Sequence, residues 1–213
     1  MAQDPIRVDI VSDVVCPWCI VGYRQLMQAS EATGIAIETY WHPFELNPDM
    51  EAKGENLRDH IMRKYGSTAE QSKDARDRLT HVGADLDIDF QWSDNSRIYN
   101  TFAAHQLLHW ASETGMAQAL KLALFDAYFT KGQDVSDPEV LVDVAASIGL
   151  NSEEAQAVLK DQRHAEMVRQ KEQFWTSRGV TGVPTMVFEG KQATSGAQGV
   201  DTFAKLLRHM ADQ

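Results

Sequence analysis

The sequence lacks the features that mark several large classes of protein. It has only two cysteines among 213 residues, whereas a secreted disulfide scaffold carries more cysteines, spread along the chain. Its 20 lysines and arginines are outnumbered by 31 aspartates and glutamates. The net charge of −11 argues against nucleic acid and anionic membrane surfaces as partners, because both require basic patches. No segment approaches the run of about 18 apolar residues that a membrane-spanning helix needs.

The first ten residues show no secretory signal, since they lack a charged start followed by an apolar run. We therefore expect a cytoplasmic protein. The two cysteines are separated by only two residues. In a reducing compartment, such a pair indicates chemistry rather than a structural cross-link.

Strand and helix patterns occur together at the two ends of the chain. Ile6–Val11 alternates apolar with polar residues, which predicts a strand. A helix is predicted at Pro17–Thr33, because proline suits a first turn and Gly34 follows the last helical residue. Further strands are predicted at Ile35–Trp41, Thr185–Phe188 and Gln192–Thr194, and a final helix at Val200–Met210.

The pattern between these ends is helical. Helices are predicted at Glu55–Tyr65, Thr68–Val82, Arg97–Thr114 and Met116–Lys131, after Asp137, after Asn151, and at Arg163–Arg178. The fold class is therefore α/β. We predict one α/β domain formed by residues 1–48 and 171–213, with an all-helical insertion domain at residues 49–170.

A Cys-Pro-Trp-Cys motif at residues 16–19 joins the first predicted strand to the first predicted helix. Backbone N–H groups at a helix N-terminus stabilise a thiolate, which predicts a lowered pKa for Cys16 and makes it the attacking sulfur. Cys19 lies one turn further on the same face, where it can resolve the mixed disulfide formed by Cys16. Pro17 and Trp18 are expected to shape the surface that a partner meets.

Two other interpretations of the cysteine pair stay open. Half of a structural zinc site would need two further ligands, and no second C-x-x-C or paired histidine motif is placed to supply them. His105 and His109 are four residues apart, but their helix also supplies core. A structural disulfide is disfavoured because cytosolic disulfides are rarely structural. We expect redox catalysis that requires no metal, nucleotide or other cofactor.

The segment Gly-Val-Thr-Gly-Val-Pro-Thr at residues 179–185 is the second distinctive stretch. Its proline, Pro184, opens a predicted strand, a position where proline is tolerated. Taken alone, the segment predicts an ordinary trans bond, because only about 5–6% of X–Pro bonds in folded proteins are cis.

Together, the two stretches resemble the thioredoxin superfamily. The helical insertion makes the chain similar to the DsbA branch and, within it, to the cytoplasmic FrnE-like proteins. The matching segments are spread over nearly the whole chain and are Asp13–Gly22, Pro43–Pro48, Asn100–Thr101 with Ala104–His105, Gly182–Thr185 and Ser195–Gln198.

The resemblance implies that Pro184 is cis and faces the cysteine pair. Val183 would then offer its backbone N–H and C=O to an extended substrate. The implied function is thiol–disulfide exchange with a protein or a small molecule. Asn100 and His105 match the family pattern and are candidates to line the cleft, although a lone helical histidine is more often a satisfied structural residue. The family also suggests a homodimer.

A related branch of the family suggests a second function. Kappa-class glutathione transferases and 2-hydroxychromene-2-carboxylate isomerases bind glutathione across the same cleft, usually with serine at the catalytic position. This sequence keeps both cysteines, which favours dithiol chemistry. Ser195 and Gln198, expected to open the last helix, are candidates to hold a glutathione carboxylate, but a plain turn capped by Ser195 explains them equally well. A third alternative is a redox-switched binding protein or chaperone.

Overall fold

The chain divides into two units in the structure, a computed structural model that describes residues 4–51 and 53–212. One unit comprises Met1–Leu46 and Arg169–Gln213, and the other comprises Asn47–Val168. These boundaries lie two residues from those of the predicted α/β domain and helical insertion. Residues 1–3, 52 and 213 of the predicted domains lie outside the described part of the chain.

A four-stranded sheet forms the centre of the discontinuous unit. The first strand, β1 (Ile6–Ser12), is parallel to β2 (Ile37–Pro43) and antiparallel to β5 (Thr185–Phe188). The fourth strand, β6 (Gln192–Ser195), pairs antiparallel with β5, so the order is β2-β1-β5-β6. Because β1 has a partner on each side, most of its residues are buried.

Two helices pack on each other in this unit. They are α1 (Pro17–Thr33) and α9 (Val200–Ala211), and α9 also contacts β1. Leu26 of α1 and Phe203 of α9 have no exposed surface. Gly34 adopts a left-handed conformation at the end of α1, as its predicted role there requires.

The second unit is helical, and some of its helices start at a residue whose side chain caps the first turn. Asn151 accepts a hydrogen bond from the backbone N–H of Glu154, as predicted, and Asp137 caps its helix in the same way through Glu139. The helices are α2 (Leu57–Tyr65), α3 (Ala69–Ala84), α4 (Phe102–Glu113), α5 (Ala117–Phe125), α6 (Pro138–Ser147) and α7 (Ser152–Asp161); α8 (Ala165–Thr176) starts here and ends in the other unit.

Several of the predicted elements differ from those observed. The strand predicted at Ile35–Trp41 is Ile37–Pro43, and the helix predicted from Glu55 begins only at Leu57. The one predicted from Arg97 begins only at Phe102, because Arg97–Ile98 forms a two-residue strand, β4, that pairs with β3 (Glu55–Asn56). The one predicted at Met116–Lys131 is α-helical only to Phe125 and continues as a π-helical turn, Asp126–Thr130. None of the described helices is both long enough and apolar enough to cross a membrane.

Candidate active site

The cysteine motif lies where β1 gives way to α1. Cys16 is the N-cap residue of α1 and has an extended backbone, while Pro17 takes the first helical position, for which its fixed φ is suited. Both cysteines are thiols. Cys16 retains 4% of its surface exposed and Cys19 retains none. The arrangement therefore matches the predicted one, with one sulfur at the helix end and the other buried a turn behind it.

The loop before β5 lies against the thiol of Cys16. The Cys16 Sγ atom donates a weak hydrogen bond to the carbonyl oxygen of Val183, at a distance of 3.6 Å. The peptide bond between Val183 and Pro184 is cis. The sheet brings these distant stretches together, because Val11 in β1 is paired with Thr185 in β5.

A glycine in α1 allows the helix to approach this loop. A Cβ atom added at Gly22 would lie 3.2 Å from Cε of Met186 and 3.3 Å from Cγ of Pro184, tighter than an ordinary contact. The neighbouring segment is also tied to the loop, since the backbone N–H of Gly196 donates to the carbonyl of Pro184 at 2.8 Å. Glycine at position 22 therefore lets Pro184 sit close to the first helix.

Trp18 presents an exposed aromatic surface next to the thiols. Its side chain is 43% exposed, although it lies between two buried cysteines in the sequence. Val183 packs on an apolar cluster that includes Val11 and Trp175. Trp18 is therefore exposed, and its contact with a partner stays a prediction.

The pKa of Cys16 is raised well above that of an ordinary thiol. The largest cause is its side-chain hydrogen bond with Cys19, followed by burial and by electrostatic interactions with Cys19 and Asp13. The backbone N–H of Cys19 acts in the opposite direction but is outweighed. The predicted lowering of this pKa is therefore wrong for the dithiol, because burial and neighbouring charge exceed the effect of the helix N-terminus.

Buried carboxyl groups beside the motif were not predicted from the sequence. Asp13 is 1% exposed, and its Oδ2 atom accepts a hydrogen bond from the backbone N–H of Leu46 at 2.7 Å. The adjacent Glu45 pairs with Arg169, which also contacts Glu172 at 2.9 Å. Asp13 could have been found from its place three residues before Cys16, whereas no local pattern connects the other two acids to the site.

The pKa of Glu172 is raised within this group. Burial is the largest cause, and the negative charge of Asp13 adds to it. Hydrogen bonds with Arg169 and Glu45 favour the ionised form but do not compensate. The carboxyl group of Glu172 therefore takes up a proton at a higher pH than an exposed glutamate does.

A second buried acid in the sheet serves the fold. Asp9 in β1 lies 2.7 Å from Nε2 of His42 in β2 and 2.7 Å from the guanidinium of Arg7. Burial lowers the pKa of His42, whose ring packs on Trp175 with centroids 4.8 Å apart. This network joins neighbouring strands and cross-links β1 to β2.

Ser195 does not open the last helix, contrary to the prediction. It is the final residue of β6, and α9 begins at Val200 with Gly199 as its N-cap. Gln198 donates from its side chain to the carbonyl of Ser195, and both residues are exposed. The final helix itself was predicted to begin at Val200, where α9 begins. The error lies in assigning the Ser-Gly-Ala-Gln segment to its opening, because that segment carries no marker that separates a turn from a first helical turn.

The two other candidate residues belong to the helical unit. The Oδ1 atom of Asn100 accepts a hydrogen bond from the backbone N–H of Phe102 at 2.9 Å, next to the start of α4. His105 lies on α4 and is 2% exposed. The part of both residues in substrate binding stays a prediction.

Known proteins share the sequence and the fold. Residues 7–208 match the DSBA-like thioredoxin domain family. A probable DsbA oxidoreductase from Streptomyces coelicolor is 32% identical, with a TM-score of 0.91 over 98% of this chain and 91% of that one.

Two more distant structures share the fold. A 2-hydroxychromene-2-carboxylate isomerase is 16% identical, with a TM-score of 0.68 over 97% of this chain and 98% of that one. The cytosolic disulfide reductase DsbM from Pseudomonas aeruginosa, solved with GSH, is also 16% identical, with a TM-score of 0.65 over 97% and 100% of the two chains. The predicted fold class and the resemblance to the DsbA branch are confirmed: the chain belongs to the DSBA-like thioredoxin domain family.

Proposed function

We propose that this protein is a thiol–disulfide oxidoreductase that exchanges disulfides through Cys16 and Cys19. The observation that carries this proposal is the Cys16 thiol at the start of α1, in contact with the carbonyl of Val183. A substrate strand bound along the backbone of Val183 would place its sulfur next to Cys16, since strand addition aligns main-chain groups. Trp18 would contact the substrate from the exposed side.

The proposed exchange takes place in two steps. The thiolate of Cys16 attacks one sulfur of a substrate disulfide, so that a mixed disulfide forms and the other substrate sulfur leaves as a thiolate, which takes up a proton. Cys19 then loses its proton and attacks the sulfur of Cys16. The second substrate thiol is released, and the Cys16–Cys19 disulfide remains. Two electrons pass from the protein to the substrate, and the reverse sequence oxidises a substrate dithiol.

The raised pKa of Cys16 favours the reducing direction. In strongly oxidising members of this superfamily, the reduced form is stabilised through a low-pKa thiolate. Cys16 lacks that stabilisation, because its pKa is raised by Cys19, by burial and by Asp13. We therefore propose a reductase or isomerase whose substrate is a protein or small-molecule disulfide, and which requires no further cofactor.

A redox titration in glutathione buffers tests the exchange chemistry. Samples are quenched with acid, alkylated and analysed by mass. We expect a two-electron conversion between the dithiol and the Cys16–Cys19 disulfide, with a potential near roughly −270 mV for a reductase. A potential near roughly −120 mV would contradict the direction. Absence of a Cys16–Cys19 disulfide would contradict the proposed function itself.

Variants of the two cysteines assign their roles. Cys16→Ser should abolish turnover of a disulfide substrate, whereas Cys19→Ser should accumulate a mixed disulfide on Cys16. Asp201→Asn, at an exposed position on α9, is the control. Undiminished turnover by Cys16→Ser would exclude the mechanism.

Glutathione is the first small-molecule thiol to test, because DsbM, which shares the fold, was solved with GSH. If this chain uses glutathione as co-substrate, the same titration will contain a glutathione adduct on Cys16. An adduct that persists and is never resolved by Cys19 would favour the glutathione-dependent isomerase or transferase alternative.

A further inference from the structure

Three metal-binding side chains meet in the helical unit, and none belongs to the thiol site. His109 and Glu113 are one turn apart on α4 and share a face. His164 lies in the turn between α7 and α8. One ligand atom from each of the three residues lies within 4.8 Å of the other two. The rings of His109 and His164 approach edge to face, with centroids 5.0 Å apart.

The described hydrogen bonds leave one ring nitrogen of His164 without a partner. Its side chain is only 12% exposed, and its Nδ1 atom lies 4.0 Å from Oε1 of Glu113, which is too far for a hydrogen bond. Its Nε2 atom is buried without a hydrogen-bond partner among residues 4–51 and 53–212. Buried polar atoms are nearly always paired, so this imidazole has capacity left for a ligand.

The turn that carries His164 is fixed by its own contacts. The carbonyl of His164 accepts the first hydrogen bond of α8, from the N–H of Val168 at 2.9 Å. Arg163, immediately before it, pairs with Asp161 at 2.6 Å and with Glu154 at 2.7 Å. The helices α4 and α7 also pack on each other. The two histidines therefore sit on elements whose backbones are already placed.

We propose that His109, Glu113 and His164 bind a divalent cation of the zinc class. Two imidazoles and one carboxylate are a ligand set that zinc accepts, and three protein ligands leave the fourth tetrahedral position to water. Ligand atoms around zinc are about 3.4 Å apart when each bond is about 2.1 Å. The ligand atoms must therefore move closer together than they are in the structure. The side chain of Glu113 can make this movement, because it is 55% exposed at the end of α4. The ion connects the end of α4 to the turn before α8.

Direct titration with zinc chloride tests the site. The cysteines are first replaced by Cys16→Ser and Cys19→Ser, because thiolates bind zinc themselves. Calorimetry on this protein should give one equivalent of zinc. Glu113→Gln and His164→Ala should each weaken binding at least about tenfold. His81→Ala is the control, since His81 is exposed on α3 and bonds only to the carbonyl of Asp77 among its described contacts.

Cobalt gives a second readout. Co²⁺ in place of zinc should produce the intense visible absorption of a tetrahedral site, and Glu113→Gln should remove it. Because Glu113 is exposed, this variant keeps the fold and the test stands even if His164→Ala unfolds. The proposal is overturned if the cysteine-free protein binds no stoichiometric zinc, or if Glu113→Gln and the control bind zinc equally well. Neither result bears on thiol exchange, since the thiols are absent.

Discussion

At the scale of single residues, the negative charge of Asp13 acts on the attacking thiol. Asp13 is buried, and its charge contributes to the raised pKa of Cys16. Asp13→Asn removes the charge and keeps an oxygen that can accept the hydrogen bond from Leu46. We expect the pKa of Cys16 to fall, so that iodoacetamide alkylates Cys16 faster at pH 7 than in the wild type.

The measurement is a pH–rate profile of alkylation read by mass. Asp201→Asn, at an exposed position on α9, is the matched control and should leave the profile in place. If the profiles of Asp13→Asn and wild type coincide, the charge of Asp13 does not affect the pKa of Cys16.

Glu172 makes stability depend on pH. Its folded pKa is raised, so the folded state binds its proton more tightly than the unfolded state does. The contribution of Glu172 to stability therefore falls as the pH rises from about 4.5 through the folded pKa, because a partly buried carboxylate must then ionise. Glu172→Gln cannot ionise and should gain in melting temperature relative to wild type as the pH rises.

Thermal melts at pH 4.5, 6 and 8 measure this difference. The gain should be largest at pH 8 and smallest at pH 4.5. Glu166→Gln, exposed on the same helix, is the control. If the gain in melting temperature of Glu172→Gln over wild type becomes smaller as the pH rises, the raised pKa of Glu172 is contradicted.

The sequence reveals some residues of the site and not others for a physical reason. Cys16 and Cys19 were predicted because thiols three positions apart are a local pattern. The place of Pro184 was expected only from the resemblance to the DsbA branch, since its segment taken alone predicts an ordinary trans bond. Glu172 and Arg169 were missed because their contact with Glu45 arises only when α8 returns to the sheet unit. The pKa of Cys16 was predicted in the wrong direction, since burial and the charge of Asp13 depend on the folded surroundings.

At the scale of elements, the close approach of α1 to the proline loop is a packing requirement. In Gly22→Val, the added Cβ atom alone would lie 3.2 Å from Cε of Met186 and 3.3 Å from Cγ of Pro184. The two methyl groups of the valine need further space beyond this Cβ atom. Overpacking of this kind costs about 1–3 kcal/mol. We expect a lower melting temperature and slower disulfide exchange, because Pro184 must move away from the site.

Chemical denaturation and turnover are measured on the same preparation. Gly182→Ala provides the control, since a Cβ atom there meets nothing within 4 Å and its φ is not in the left-handed range. Unchanged stability together with unchanged turnover in Gly22→Val would show that the loop does not depend on this contact.

The elements that the sequence predicted well are those with their own periodicity or caps. The helix at Pro17–Thr33 and the strand at Thr185–Phe188 were predicted with the observed bounds. The two-residue strands β3 and β4 were missed because two residues are too few to show an alternation. The predicted helix from Arg97 consequently began too early.

At the scale of the whole molecule, the two units differ in how the chain supplies them. The helical unit is one continuous segment. Leu107, Leu124 and Leu141, which have no exposed surface, lie in this segment. The sheet unit takes β1 and β2 from the first segment but β5, β6 and α9 from the last. The strand β1 therefore has both of its neighbours, β2 and β5, only when both segments of the chain are present.

The two units should consequently behave differently when they are cut out of the chain. A fragment of residues 47–168 should show helical circular dichroism and a cooperative thermal transition, because its buried side chains keep their partners within the fragment. A fragment of residues 1–46 should stay unfolded, since β1 loses its partner β5 and α1 loses α9. Circular dichroism melts of both fragments beside the full chain are the measurement. A cooperative transition in the shorter fragment, or none in the longer one, would mean that the continuity of the helical segment does not determine which unit can fold alone.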